Sequence, residues 1–123
     1  MNRVYQNWAS NPYFDKNEFE CPCCKQSLVA DNFIHKLTHA RFLADVPFII
    51  NSGYRCRDHN YAIKGVLSSS HIKGLAADIS ARNPDIRQKV LYGLILAGFK
   101  RIGIYTTFIH VDCDPDKPNC IWL

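Results

Sequence analysis

Apolar residues recur every three to four positions at Phe33, Leu37, Ala40 and Leu43/Ala44, and Pro47 halts the repeat. That spacing predicts a core-facing amphipathic helix, with Asp31 or Asn32 as its cap. Pro84 opens a second long helix and Gly98 closes it. Everything else with regular character is short. Phe48-Ile49-Ile50 reads as a buried strand broken by Asn51-Ser52-Gly53, Asp58 to Lys64 as a short helix ending at Gly65, and Leu75 to Ile79 as a strand of small and apolar residues. Arg101 to Tyr105 and Phe108 to Asp112 are β-branched or aromatic runs joined by Thr106-Thr107, which predicts a hairpin. Two long helices among short strands specify an α+β fold, a small antiparallel sheet with flanking helices.

The chain has 123 residues, 47% of them hydrophobic and 21% charged, which suits one domain and excludes a disordered, collagenous or coiled-coil chain. Residues 1–30 are aromatic, Asn-rich and Cys-rich without a period, and read as an irregular arm laid over the domain. No apolar run approaches the roughly 18 residues of a membrane span. The first residues lack the apolar stretch of a secretory signal, so the expected setting is intracellular, mature after processing, or exported by another route. Net charge is +4, with Lys and Arg scattered from Arg3 to Lys117, which argues against a nucleic-acid partner. Without a heptad or an apolar surface stripe, a monomer is expected.

There is no glycine-rich phosphate loop, so chemistry falls to His, Asp, Glu and Cys. His71 and Asp78 lie seven residues apart around Gly74, and His110 sits on the last predicted strand. Two imidazoles and one carboxylate can hold one zinc ion and leave a fourth position for water, whose pKa then falls to about 7. The same residue types also occur as ordinary surface or core groups.

Ser69-Ser70-His71-Ile72-Lys73-Gly74-Leu75-Ala76-Ala77-Asp78 resembles the S-x-H-x-x-G-x-A-x-D signature of the zinc D-Ala-D-Ala carboxypeptidase family of peptidoglycan peptidases, with its Hedgehog/D,D-peptidase-like fold. Ser52-Gly53-Tyr54-Arg55 with Asn60 resembles that family's S-G-Y-R segment, and Phe108-Ile109-His110-Val111-Asp112 its F-x-H-x-D strand. The three motifs occur in order across residues 48 to 112. The resemblance implies one zinc on His71, Asp78 and His110, at a site on the sheet face. It further implies cleavage of peptidoglycan stem peptides, as a D,D-carboxypeptidase or an endopeptidase, for example a phage or prophage lysin. Hedgehog signalling domains resemble the same family, and a non-catalytic zinc-containing binding module is the alternative.

Within that resemblance Arg55 offers a planar guanidinium to a substrate carboxylate or carbonyl, or else pairs with an aspartate of the fold. Ser69 hydrogen-bonds backbone or substrate, and Tyr105 lies close enough to offer its hydroxyl to an oxyanion or simply to pack. Some relatives carry an acidic base three residues before the last His ligand, where this chain has Thr107. Asp112 shares a strand face with His110 and is expected to be the base that takes a proton from zinc-held water; its competing role is to orient His110. His35 and His39 lack the Glu of H-E-x-x-H and read as a solvated helix face. Cys21-Pro22-Cys23-Cys24 contains a C-x-x-C pair, but Cys56, Cys113 and Cys120 form no second one. Disulfides, from the arm to Cys56 and from Cys113 to Cys120, are therefore expected over a four-cysteine zinc site.

Overall fold

The structure, a computed structural model, describes residues 3–123. Its elements are α1 (Asp31–Ala44), β1 (Ile50–Ser52), α2 (Arg57–Ala62), β2 (Ala76–Ser80), α3 (Pro84–Leu96), β3 (Arg101–Ile104), β4 (Phe108–Asp112) and β5 (Cys120–Trp122). The class is α+β, with one five-stranded sheet in the order β1-β2-β4-β3-β5. Four strands are antiparallel to their neighbours; β5, which was not expected, runs parallel to β3 at the edge.

Strand alternation divides the sheet into two chemically different faces. Ala77, Ile79, Ile102, Ile109 and Val111 are fully buried and join Phe33, Leu37, Val90 and Leu94 of α1 and α3 in one core. The opposite face carries Asp78, His110 and Arg101. Pro84 sits at the first turn of α3, and Asn83 caps it by accepting the Ile86 N–H. Arg87 of that helix donates to the carbonyls of Ala81, Tyr105 and Thr106, tying the β3–β4 turn to α3.

Two expected boundaries move. β1 runs from Ile50 to Ser52, so Asn51 and Ser52 lie inside the strand they were expected to break, held by the pairing of Ser52 with Asp78 of β2. The cap of α1 is Ala30 with no side-chain bond, and neither Asp31 nor Asn32 serves. Backbone carbonyls replace the cap: Ala30 N–H donates to Gly74 and Asp31 N–H to Arg3. The arm forms 3-10 turns at Trp8–Ser10 and Lys16–Phe19, and Tyr5, Phe14, Phe19 and Cys21 complete the core instead of lying on it.

No described helix is long and apolar enough to cross a membrane.

Candidate metal centre

The β2–β4 register places Asp78 opposite His110, and β3 and β5 continue the same row with Gly103 and Trp122. Cross-strand partners share a face, so four residues distant in sequence become neighbours. Gly103 has no side chain to fill its place, and a Cβ there would meet the Trp122 ring at 2.5 Å. The indole lies over that gap, its centroid 5.6 Å from that of His110.

His71 comes from the loop before β2, where successive tight turns run from Val66 to Leu75. Gly74 closes them at φ +72, a left-handed conformation that L side chains avoid, and a Cβ there would meet the Leu28 carbonyl oxygen at 2.1 Å. Ser69 accepts the His71 N–H at 3.2 Å, so its hydroxyl shapes the loop that presents the ligand.

The ligand atoms of His71, Asp78 and His110 lie within 4.8 Å of one another. His71 Nδ1 donates to the Gly53 carbonyl at 2.7 Å, which leaves its Nε2 with a lone pair, 3.3 Å from Asp78 Oδ1. That Nε2 is buried without a hydrogen-bond partner. An unsatisfied buried nitrogen is costly in a site built only for packing. Two ligands about 2.0–2.1 Å from a tetrahedral ion stand about 3.4 Å apart, so the spacing fits a metal. His110 Nδ1 is 2.9 Å from the same Asp78 oxygen. Burial raises the Asp78 pKa, but both imidazoles outweigh it and hold the carboxyl well below its usual range. Two nitrogens and one oxygen from protein, with one direction open, are the donor set of a catalytic rather than a structural metal site.

Of the two roles expected of Asp112, base and orienting group for His110, its contacts match the second. It shares the strand face of His110, but it lies on the other side of the imidazole, with Oδ2 accepting His110 Nε2–H at 2.7 Å. Oδ1 accepts from Arg101 Nε at 2.8 Å and from the Asp114 N–H at 3.1 Å. Burial favours its neutral form, yet these three donors lower its pKa. A carboxylate 1% exposed with both oxygens engaged is placed to orient an imidazole, not to meet water at the metal. Sequence parity identified the face and missed the direction along the strand. Arg101, one of the groups holding Asp112, was not singled out from the sequence; its register opposite Asp112 emerges only when the hairpin is aligned.

A cleft of about 630 Å³ opens over the ligands, lined in part by Arg55, Lys64, Ser69, Tyr105, Lys117 and Trp122. Arg55 donates from Nη1 to Asn60 at 3.0 Å and stands 3.9 Å from Asp78 Oδ2, while its Nε has no partner. Tyr105 accepts from Trp122 Nε1 at 3.0 Å and stacks on Phe108. Asp78 and Asp112 are the only carboxylates lining this cleft among the described residues. His35 and His39 lie exposed on α1, outside the site.

None of the six cysteines is in a disulfide. Cys113 follows β4 and Cys120 lies on β5, with β3 between, so about two strand spacings, roughly 9–10 Å, separate them. That exceeds the reach of a disulfide, about 7 Å between Cα atoms. Cys21 and Cys56 do meet, as expected of the arm, but unbonded, with sulfurs 3.7 Å apart.

Comparison with the curated proteins returns no match. Comparison with protein families matches residues 12–113 to Peptidase M15, a span that takes in most of the arm, the three candidate ligands and the cleft lining except Lys117 and Trp122. A half-buried two-histidine, one-aspartate cluster beneath an open cleft, within a match across most of the sequence, identifies the chain as a member of the Peptidase M15 family of metallopeptidases.

Proposed function

We propose that the protein is a zinc-dependent peptidase that hydrolyses peptide bonds in the stem peptides of bacterial peptidoglycan, acting as a monomer in the manner of a D,D-carboxypeptidase or endopeptidase. The observation that carries this reading is the partnerless, buried Nε2 of His71 aimed at Asp78 beneath a cationic cleft. When bound, zinc supplies Lewis acidity to a substrate carbonyl and acidifies water at neutral pH.

The chain's own groups do the rest. Gly53 and Asp112 fix the tautomers of His71 and His110, so that Nε2 of the first and Nδ1 of the second keep their lone pairs toward Asp78. Arg55, anchored to Asn60 through Nη1, lines the cleft with its guanidinium beside Asp78, where a substrate carboxylate or carbonyl gains a charge-assisted hydrogen bond. Lys64 and Lys117 extend the positive charge along the cleft, which suits a peptide bearing free acids. Tyr105 and Trp122 form an aromatic wall against which the peptide backbone packs. A phage or prophage lysin is a setting in which this activity reaches the wall.

Purified walls and defined stem peptides test the proposal. Zinc-dependent clearing, with product masses identifying the bond cut, is the expected result. Peptide binding without any zinc-dependent cleavage would overturn it and favour a metal-holding binding module.

A further inference from the structure

A second cluster of metal-ligating atoms lies where the arm meets the loop that carries Arg55. The Cys21, Cys24 and Cys56 sulfurs are within 4.8 Å of one another. We propose that these three sulfurs, with Cys23 as the fourth, bind a separate zinc ion that takes no part in hydrolysis and clamps the arm to the Arg55 loop.

The spacing is the first argument. Two sulfurs about 2.3 Å from a tetrahedral zinc stand about 3.8 Å apart. Cys21 and Cys56 are separated by 3.7 Å. The backbone supplies the second argument. Cys21 N–H donates to Gln26 and Lys25 N–H to Cys21, with Lys25 at φ 63, so the chain folds back tightly and places Cys21 and Cys24 on one turn. Cys23 is exposed on that same turn, between the two arm ligands in sequence.

Backbone donors approach two of the sulfurs. Cys56 N–H donates to Cys21 Sγ at 3.5 Å, and His59 N–H to Cys56 Sγ at 3.4 Å. A Cys21–Cys56 disulfide would account for two of the three clustered sulfurs and leave that of Cys24 crowded beside it. The C-x-x-C spacing in the arm had no second C-x-x-C in the sequence because its counterpart is a single cysteine 35 residues away, delivered by the fold.

Metal analysis of the full chain, purified in reductant, tests the proposal. Wild type should hold two zinc ions per chain. The double variant His71→Ala/His110→Ala should keep one, and Cys56→Ser should lose one while retaining the other. Cobalt(II) loaded into the double histidine variant should show intense near-ultraviolet thiolate-to-metal charge transfer, and Cys23→Ser in that background should reduce the band by about a quarter. Because the double variant leaves every cysteine in place, misfolding of Cys56→Ser cannot mask the result. No metal in the double variant, or a Cys21–Cys56 disulfide in the reductant-purified chain, would overturn the site; an undiminished band in Cys23→Ser would overturn the part given to Cys23. Failure of peptidase activity leaves each of these measurements unaffected.

Discussion

His110 donates its Nε2 proton to Asp112 across 2.7 Å and so keeps Nδ1 as the nitrogen with a lone pair, 2.9 Å from Asp78. Without a metal the ring is flanked by carboxylates. Burial lowers its pKa, but Asp112 and Asp78 outweigh burial and raise it, so a proton competes with the ion for this site. Arg101 and the Asp114 N–H in turn hold Asp112 still.

Asp112→Asn should therefore loosen the metal. A neutral amide is a weaker acceptor, and outer partners of metal-bound histidines are worth about 10–100-fold in affinity or activity. Chelator competition should show that loss, and turnover should largely recover at saturating zinc. Retained zinc with turnover still lowered by about 100-fold or more at saturation would restore Asp112 as the base.

Arg55→Lys keeps the charge and discards the planar fork that spans Asn60 and the cleft. Hydrogen bonds to charged groups contribute about 1.5–3 kcal/mol, so kcat/KM on acidic stem peptides should fall roughly 10–100-fold. Zinc content should not change. A collapsed thermal melt would instead assign the arginine to the fold.

Gly103→Ala places a methyl group where the Trp122 ring lies. The indole must shift off His110 and β5 with it, at a cost of about 1–3 kcal/mol for overpacking. Denaturant midpoints and tryptophan fluorescence read the change, and an unaltered emission spectrum would mean that the row across the sheet is not as described.

Asp114 accepts from Ser70 at 2.8 Å and from Lys73, with its side chain fully buried. Burial raises its pKa, but Lys73, Ser70 and the Asp116 N–H prevail and lower it. A carboxyl depressed on folding stabilises the native state above its unfolded pKa of about 3.9 and loses that contribution as pH falls through the folded value. Asp114→Asn should thus cost about 1–3 kcal/mol at pH 7, and the gap between variant and wild type should close below about pH 4. Unfolding curves in chelator across that range check the sign.

Signals that act within one element were legible in the sequence. Pro84 and Gly98 bracket α3, and Phe108 to Asp112 coincide with β4. The three residues that meet at the candidate metal centre were readable through a resemblance, because their motifs are local. What escaped is set by distant pairing. β5 has three residues and no pattern of its own, and its parallel partner β3 alone gives it a place. The cysteine cluster and the setting of Asp112 likewise depend on which segments meet, which residue spacing does not encode.

The Gly53 carbonyl accepts from His71 and the adjoining Tyr54 N–H donates to Phe19 at 2.9 Å, so the arm and a metal ligand hold opposite ends of one peptide unit. That unit is a rigid plane with no soft torsion inside it. Turning it to release Phe19 also swings the acceptor away from the imidazole. Whatever free energy a metal gains from a fixed His71 is then returned to the arm as tighter docking, and by reciprocity an arm that comes loose weakens the metal by the same factor.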